Sequence, residues 1–176
     1  MKRAIAVLAM TASLLTGLSA ISLAQGTPGF TLWGGPKRGF QLGYKLDYGS
    51  PDMWDRYRLD IKAQNIREAV GAPVAVAQIS IDYPKYYNGI IEPKKIEVLV
   101  QNKKVPLQEV VWDKENRRID IYLQDPISAG KSFNVVLSEV KNPPFGGMYY
   151  FNCRIMTPGD TPLLRYIGTW VLSINR

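Results

Sequence analysis

From Tyr57 to Ile174 apolar side chains recur at every second position, stretch after stretch. Successive side chains of a strand point to opposite faces, so this period buries one face and wets the other. Tyr57, Leu59 and Ile61 alternate with Arg58, Asp60 and Lys62. Ala75, Ala77, Ile79 and Ile81 share one parity, with Gln78, Ser80 and Asp82 on the other. The pattern returns at Ile96, Val98 and Val100, and from Val105 and Leu107 to Trp112. Ile119, Ile121 and Leu123 carry it on, then Phe133, Val135 and Leu137. Tyr149, Phe151, Cys153 and Ile155 repeat it, and Trp170, Leu172 and Ile174 close the series. The intervals carry turn residues, among them Asn88-Gly89, Asp125-Pro126 with Gly130, and Pro158-Gly159. One short helix is expected, over Asn65 to Val70. The spacing predicts an all-β protein: a single immunoglobulin-like antiparallel sandwich of about seven to nine strands.

Two segments precede it. Lys2 and Arg3 give a positive start, Ala4 to Leu18 is almost wholly apolar, and Ser22-Leu23-Ala24 supplies small residues before Gln25. That is the three-part pattern of a cleavable secretory signal, and it is shorter than a bilayer span of ~20 apolar residues. Residues 25–55 are dense in glycine and proline and interleaved with Phe30, Trp33, Phe40, Tyr44, Tyr48 and Trp54. Glycine and proline at this density oppose regular structure. The expected organisation is a signal peptide over 1–24, an irregular arm over 25–55 and the sandwich domain over 56–176. Alternation at Leu42, Tyr44 and Leu46 predicts one short strand within the arm. Export would place the protein in the periplasm, at the cell surface or in a thylakoid lumen.

The 176-residue chain contains no histidine and one cysteine, Cys153. Histidine-dependent nucleophile systems, histidine-ligated zinc, thiolate clusters and an intrachain disulfide are all excluded. Cys153 lies on the apolar parity of its strand, where cysteine packs as a small hydrophobe. The formal charge is +7, and two of the positive charges, Lys2 and Arg3, lie in the signal. Lys94-Lys95, Lys103-Lys104 and Arg117-Arg118 read as edge and turn charges that aid solubility.

From Pro126 onward the order of motifs is distinctive. Pro126 and Gly130 precede a strand; Asn142-Pro143 is followed by Gly146-Gly147, then Tyr149 and Phe151; Pro158-Gly159 leads to Tyr166 and Gly168. This order resembles the cyanobacterial secreted family known as domain of unknown function 2808. The resemblance implies a small secreted β domain and a cyanobacterial source, and it brings no catalytic residue and no ligand.

The remaining candidates are surface residues. Tyr83, Tyr86 and Tyr87 flank Pro84 and Lys85 in an expected loop, and Trp33, Tyr48 and Trp54 lie in the arm. Flat rings on loops suit sugar stacking or protein recognition, and serve equally as lids over a sandwich end. Asp47, Asp52, Asp55 and Asp60 cluster in sequence but lack the alternation of a calcium loop. The expected function is that of an exported non-enzymatic binding or assembly module, acting through loops and arm on an unknown protein or polysaccharide. No cofactor, metal or nucleic acid is expected, and membrane association would be peripheral at most. Two alternatives stand beside it: a calcium-dependent surface or adhesion module, and a carbohydrate-active hydrolase using Asp and Glu carboxylates.

Overall fold

Alternation becomes strand pairing in the computed structural model, which describes residues 40–159 and 163–175. The expected signal peptide and the first part of the arm, Trp33 included, lie outside the described residues. In chain order the strands are β1 (Tyr44–Leu46), β2 (Trp54–Ile61), β3 (Val76–Asp82), β4 (Ile96–Val100) and β5 (Lys103–Val105). They continue with β6 (Leu107–Asp113), β7 (Arg118–Ile127), β8 (Phe133–Lys141), β9 (Gly147–Met156) and β10 (Leu164–Ile174). One five-stranded sheet runs β1-β2-β8-β4-β5, and the other β10-β9-β3-β7-β6. Every pairing between these strands is antiparallel. The fold is the expected immunoglobulin-like antiparallel sandwich.

The inner faces follow the parities read from the sequence except at the start of β3, where a bulge between Val76 and Gln78 buries Val76 and leaves Ala75 and Ala77 half-buried. Tyr57, Leu59, Val135 and Leu137 of one sheet and Ile79, Ile121, Phe151 and Leu172 of the other are wholly buried. Cys153 and Trp170 are buried with them, and the Trp170 indole Nε1 donates to the Asp60 carbonyl at 3.1 Å. Side chains from two such faces interdigitate to form the core.

The chain departs from the expected strands at one place. The run from Val105 to Trp112 reads as one strand, yet Pro106 divides it: β5 stays in the first sheet and β6 belongs to the second. Proline has no N–H to give a ladder, so a strand interrupted there is free to change sheets. The division brings the strand count among the described residues to ten.

The helix, α1 (Ala63–Val70), starts two residues earlier than expected. Asn65 accounts for this, because its side-chain oxygen accepts from the Lys62 N–H at 3.0 Å and closes the first turn. Gly71 ends it in the left-handed region, with φ 85°.

Residues 40–55, expected as part of the arm, pack into the sandwich. Leu42 is buried in the core, β1 extends the first sheet beside β2, and Gln41 bridges in parallel to Thr169 of β10. This contact depends on Gly168, where an added Cβ would stand 2.6 Å from the Phe40 carbonyl and 2.7 Å from Leu42 Cγ. Beside it Tyr166 stacks on Phe40, ring centres 5.8 Å apart.

Candidate functional site

Three connections meet at one end of the sandwich: residues 47–53 between β1 and β2, residues 83–92 after β3, and residues 142–146 between β8 and β9. Backbone bonds lace them together. The Asp52 N–H donates to the Pro143 carbonyl at 3.0 Å, and the Asn142 N–H to the Met53 carbonyl at 2.9 Å. Ile90 and Lys141 exchange both of their N–H groups, each bond 2.9 Å.

Beneath these loops a buried polar knot fixes their shape. The Asp55 carboxylate, 5% exposed, accepts from the backbone N–H groups of Asp47, Tyr48, Gly49 and Arg56 at 2.7–3.1 Å. The Asn142 amide donates to it at 3.0 Å and to the Ser50 carbonyl at 2.7 Å. The Asn142 side-chain oxygen accepts the Tyr57 hydroxyl at 2.5 Å, and the Tyr57 and Tyr87 hydroxyls lie 3.2 Å apart. Burial pushes both phenols well above the usual tyrosine range. Sequence reasoning missed the weight of Asp55 and Asn142. Asp55 read as one of four surface acids, and Asn142-Pro143 only as part of a motif order.

Above the knot large apolar side chains stand exposed among polar ones. Of the ten large hydrophobics left exposed among the described residues, seven lie at this end: Tyr48, Met53, Trp54, Tyr86, Ile90, Phe145 and Met148. Phe145 and Tyr48 protrude furthest, at 75% and 70% exposure. The backbone is shaped to present them. Tyr149 donates its hydroxyl to the Phe145 carbonyl at 2.7 Å, and Tyr86 donates to the Met148 carbonyl at 3.2 Å. Gly146 sits where an added Cβ would lie 3.0 Å from the Ile174 carbonyl, which brings this loop against the end of β10.

The three loop tyrosines separate. Tyr87 turns inward to 5% exposure, edge-on to Phe151 and Tyr149. Tyr83 is half-buried, and its hydroxyl accepts from the Trp112 indole at 2.7 Å. Tyr86 is exposed and packs on Tyr149. The triplet is therefore not displayed as one surface; its outward member joins Tyr48 and Trp54 in the apolar end.

The acidic residues have each found a separate partner. Asp47 pairs with Arg58, Asp52 with Lys141 at 2.9 Å, and Asp60 accepts from the Asn134 amide. Among the described residues no three acidic or cysteine side chains are placed to hold a metal ion. Four shallow surface grooves hold at most one carboxylate each, Glu68, Asp60 or Glu109. On the outer face of the second sheet Asp120 accepts from Ser80 at 2.7 Å, Gln78 at 3.1 Å and Arg118 at 2.8 Å. Arg154 faces Asp82 there at 3.2 Å, and desolvation raises the Asp82 carboxyl above its ordinary range. No helix of the described residues is long and apolar enough to cross a membrane.

No curated protein matches the chain. Among solved structures it is similar to BslA, a bacterial hydrophobin, with 12% identity over 77% of this chain and 97% of that one, TM-score 0.48. It is similar to BcpA, the major pilin subunit of Bacillus cereus, with 9% identity over 75% of this chain and 39% of that one, TM-score 0.46. A Nocardia farcinica protein described as immunoglobulin-like shares 11% identity over 76% of this chain and 99% of that one, TM-score 0.36. A family model, in contrast, covers residues 37–174 and so takes in every strand of both sheets. The chain belongs to the family described as Protein of unknown function (DUF2808).

Proposed function

We propose that this chain is an exported, non-enzymatic binding or assembly module whose contact surface is the apolar loop end of the sandwich. Export rests on the signal pattern of residues 1–24. One observation carries the contact surface: five exposed large hydrophobics stand on three adjoining loops, with Trp54 and Met148 on the strand ends beside them. Large apolar side chains gathered in water at one end of a domain mark an interaction site more often than an ordinary surface. The polar knot supports the reading, because it holds the loops in shape without any partner, and a preformed surface loses little freedom on contact.

The test is a pair of substitutions at the tip, Phe145→Ser with Met148→Ser. Both side chains are exposed, so the thermal midpoint should stay where it is. Retention on an apolar column and concentration-dependent sedimentation should both fall. A variant that matches the wild type in both measurements would remove the reading.

A further inference from the structure

We infer that the outer face of the second sheet is a binding site for a neutral polysaccharide, separate from the apolar loop end.

Strand register builds this face. On β3, Ile79 and Ile81 belong to the core, so Gln78, Ser80 and Asp82 point the other way. β7 sets Tyr122 opposite Gln78, Asp120 opposite Ser80 and Arg118 opposite Asp82. β9 sets Arg154 opposite Ser80 and Asn152 opposite Asp82, and β10 adds Tyr166 opposite Arg154. Tyr150 follows on the same side of β9. Polar groups thus occupy the middle of the face, and Tyr122, Tyr150 and Tyr166 stand around them.

The middle is held in place before any ligand arrives. Ser80 and Asp120 are buried although they point away from the core, and Asp120 accepts from Ser80 and from Arg118 Nε. Asp82 takes a terminal nitrogen of Arg154. Both arginine side chains stay part-exposed, and each guanidinium has more N–H groups than these pairs use. Asn152 accepts the Thr169 hydroxyl through its side-chain oxygen, which leaves its amide N–H groups for a ligand. Tyr166 is the exposed ring, stacked on Phe40 and tied by its hydroxyl to Thr169. The strands of this sheet hold no lysine, whereas those of the first sheet hold Lys45, Lys103, Lys104 and Lys141. Arginine's planar fork loses less freedom per hydrogen bond than lysine's long stem, so groups already held this way lose little on contact.

The layout selects a sugar over a protein. Protein contacts have an apolar centre inside a polar rim. Here the order is reversed, with the hydrogen-bonding groups central and the rings at the margin. Sugar hydroxyls both donate and accept, so they can join the guanidinium, amide and phenol groups, while the C–H face of a pyranose ring lies on a tyrosine. Charge argues against an acidic polymer. Arg118 and Arg154 are met by Asp120 and Asp82, and β6 adds Glu109 and Asp113 on the same face at the sheet edge.

The test is co-sedimentation with microcrystalline cellulose, insoluble xylan and chitin, with a carboxymethyl cellulose resin as the acidic counterpart and every variant keeping the same N-terminus. The wild type should bind at least one of the neutral polymers, and that binding should persist in high salt, which removes charge-driven retention on the acidic resin. Tyr122→Ala with Tyr150→Ala should lower binding to the neutral polymer about tenfold. Arg154→Gln, a milder change that keeps the fold within reach if the double variant is unstable, should lower it in the same direction, with the thermal midpoint as the check on folding. Phe145→Ser, at the loop end, should bind as the wild type does. Binding to none of the neutral polymers, binding to the acidic resin alone, equal binding by the wild type and the folded face variants, or loss confined to Phe145→Ser would each overturn the proposal.

Discussion

Asn142 donates its side-chain amide to the Asp55 carboxylate at 3.0 Å, joining the end of β8 to the start of β2 across 87 positions of sequence. The same amide reaches the Ser50 carbonyl, and its oxygen receives the Tyr57 hydroxyl. One asparagine thus ties together the 47–53 loop, a core tyrosine and a buried carboxylate. An ionised group at this depth is tolerated because every direction of its charge is met by a donor.

Replacement of Asp55 by alanine should therefore be costly. It strands the backbone N–H groups of Tyr48 and Gly49 beneath the loop and leaves Asn142 without its partner. The loss should be about 3 kcal/mol in denaturant unfolding, with Asn142→Ala somewhat milder. A change below ~0.5 kcal/mol for Asp55→Ala would show that the knot contributes nothing to stability.

Gly168 should refuse a side chain. A methyl group there would overlap the Phe40 carbonyl and Leu42, so Gly168→Ala must push the 40–42 segment off β10. Overpacking of this kind costs about 1–3 kcal/mol, and a lowered melting midpoint is the expected readout. Leu42→Ala in the same background should then cost less than it does alone, since the leucine would already be displaced.

Alkaline pH should unfold the protein through its core phenols. Desolvation raises Tyr57 and Tyr87 above the ordinary tyrosine value of ~10. The native state keeps both protons while the unfolded chain releases its own near that value. Stability is then fully present below about pH 10 and declines above it. Unfolding curves on either side of that pH should show the decline, and Tyr57→Phe with Tyr87→Phe should flatten it. Those substitutions should also cost some stability at neutral pH, where the bond to Asn142 is lost.

Cys153 should be silent to thiol reagents in the native state. It is wholly buried between Phe151 and Ile155, and burial pushes its thiol well above the ordinary range. Labelling by a chromogenic disulfide should require denaturant and follow the global unfolding transition. Rapid labelling of the native protein would place β9 in exchange with an open form.

Legibility followed the range of the forces involved. The parities of Leu59, Ile121, Val135 and Phe151 are set by neighbours one and two residues away, so burial could be read directly from sequence. Gly146-Gly147 and Tyr166-x-Gly168 marked family membership correctly. Their meaning, close approach to the end of β10 and to the 40–42 segment, needed the fold. Tyr86 and Tyr87 are adjacent in a loop with no period, and nothing local says which turns inward. That was decided by Tyr57, Phe151 and Tyr149, all on other elements.

The sequence by itself determined an all-β sandwich, because alternation is a property of successive residues and needs no partner to be expressed. Tertiary structure alone decided that the chain changes sheets at Pro106, that Asp55 is buried, and that three loops gather Tyr48, Trp54 and Phe145 at one end. Those outcomes depend on strand order and register, which bring together residues such as Asp55 and Asn142, 87 positions apart, that carry no mark of one another in the chain.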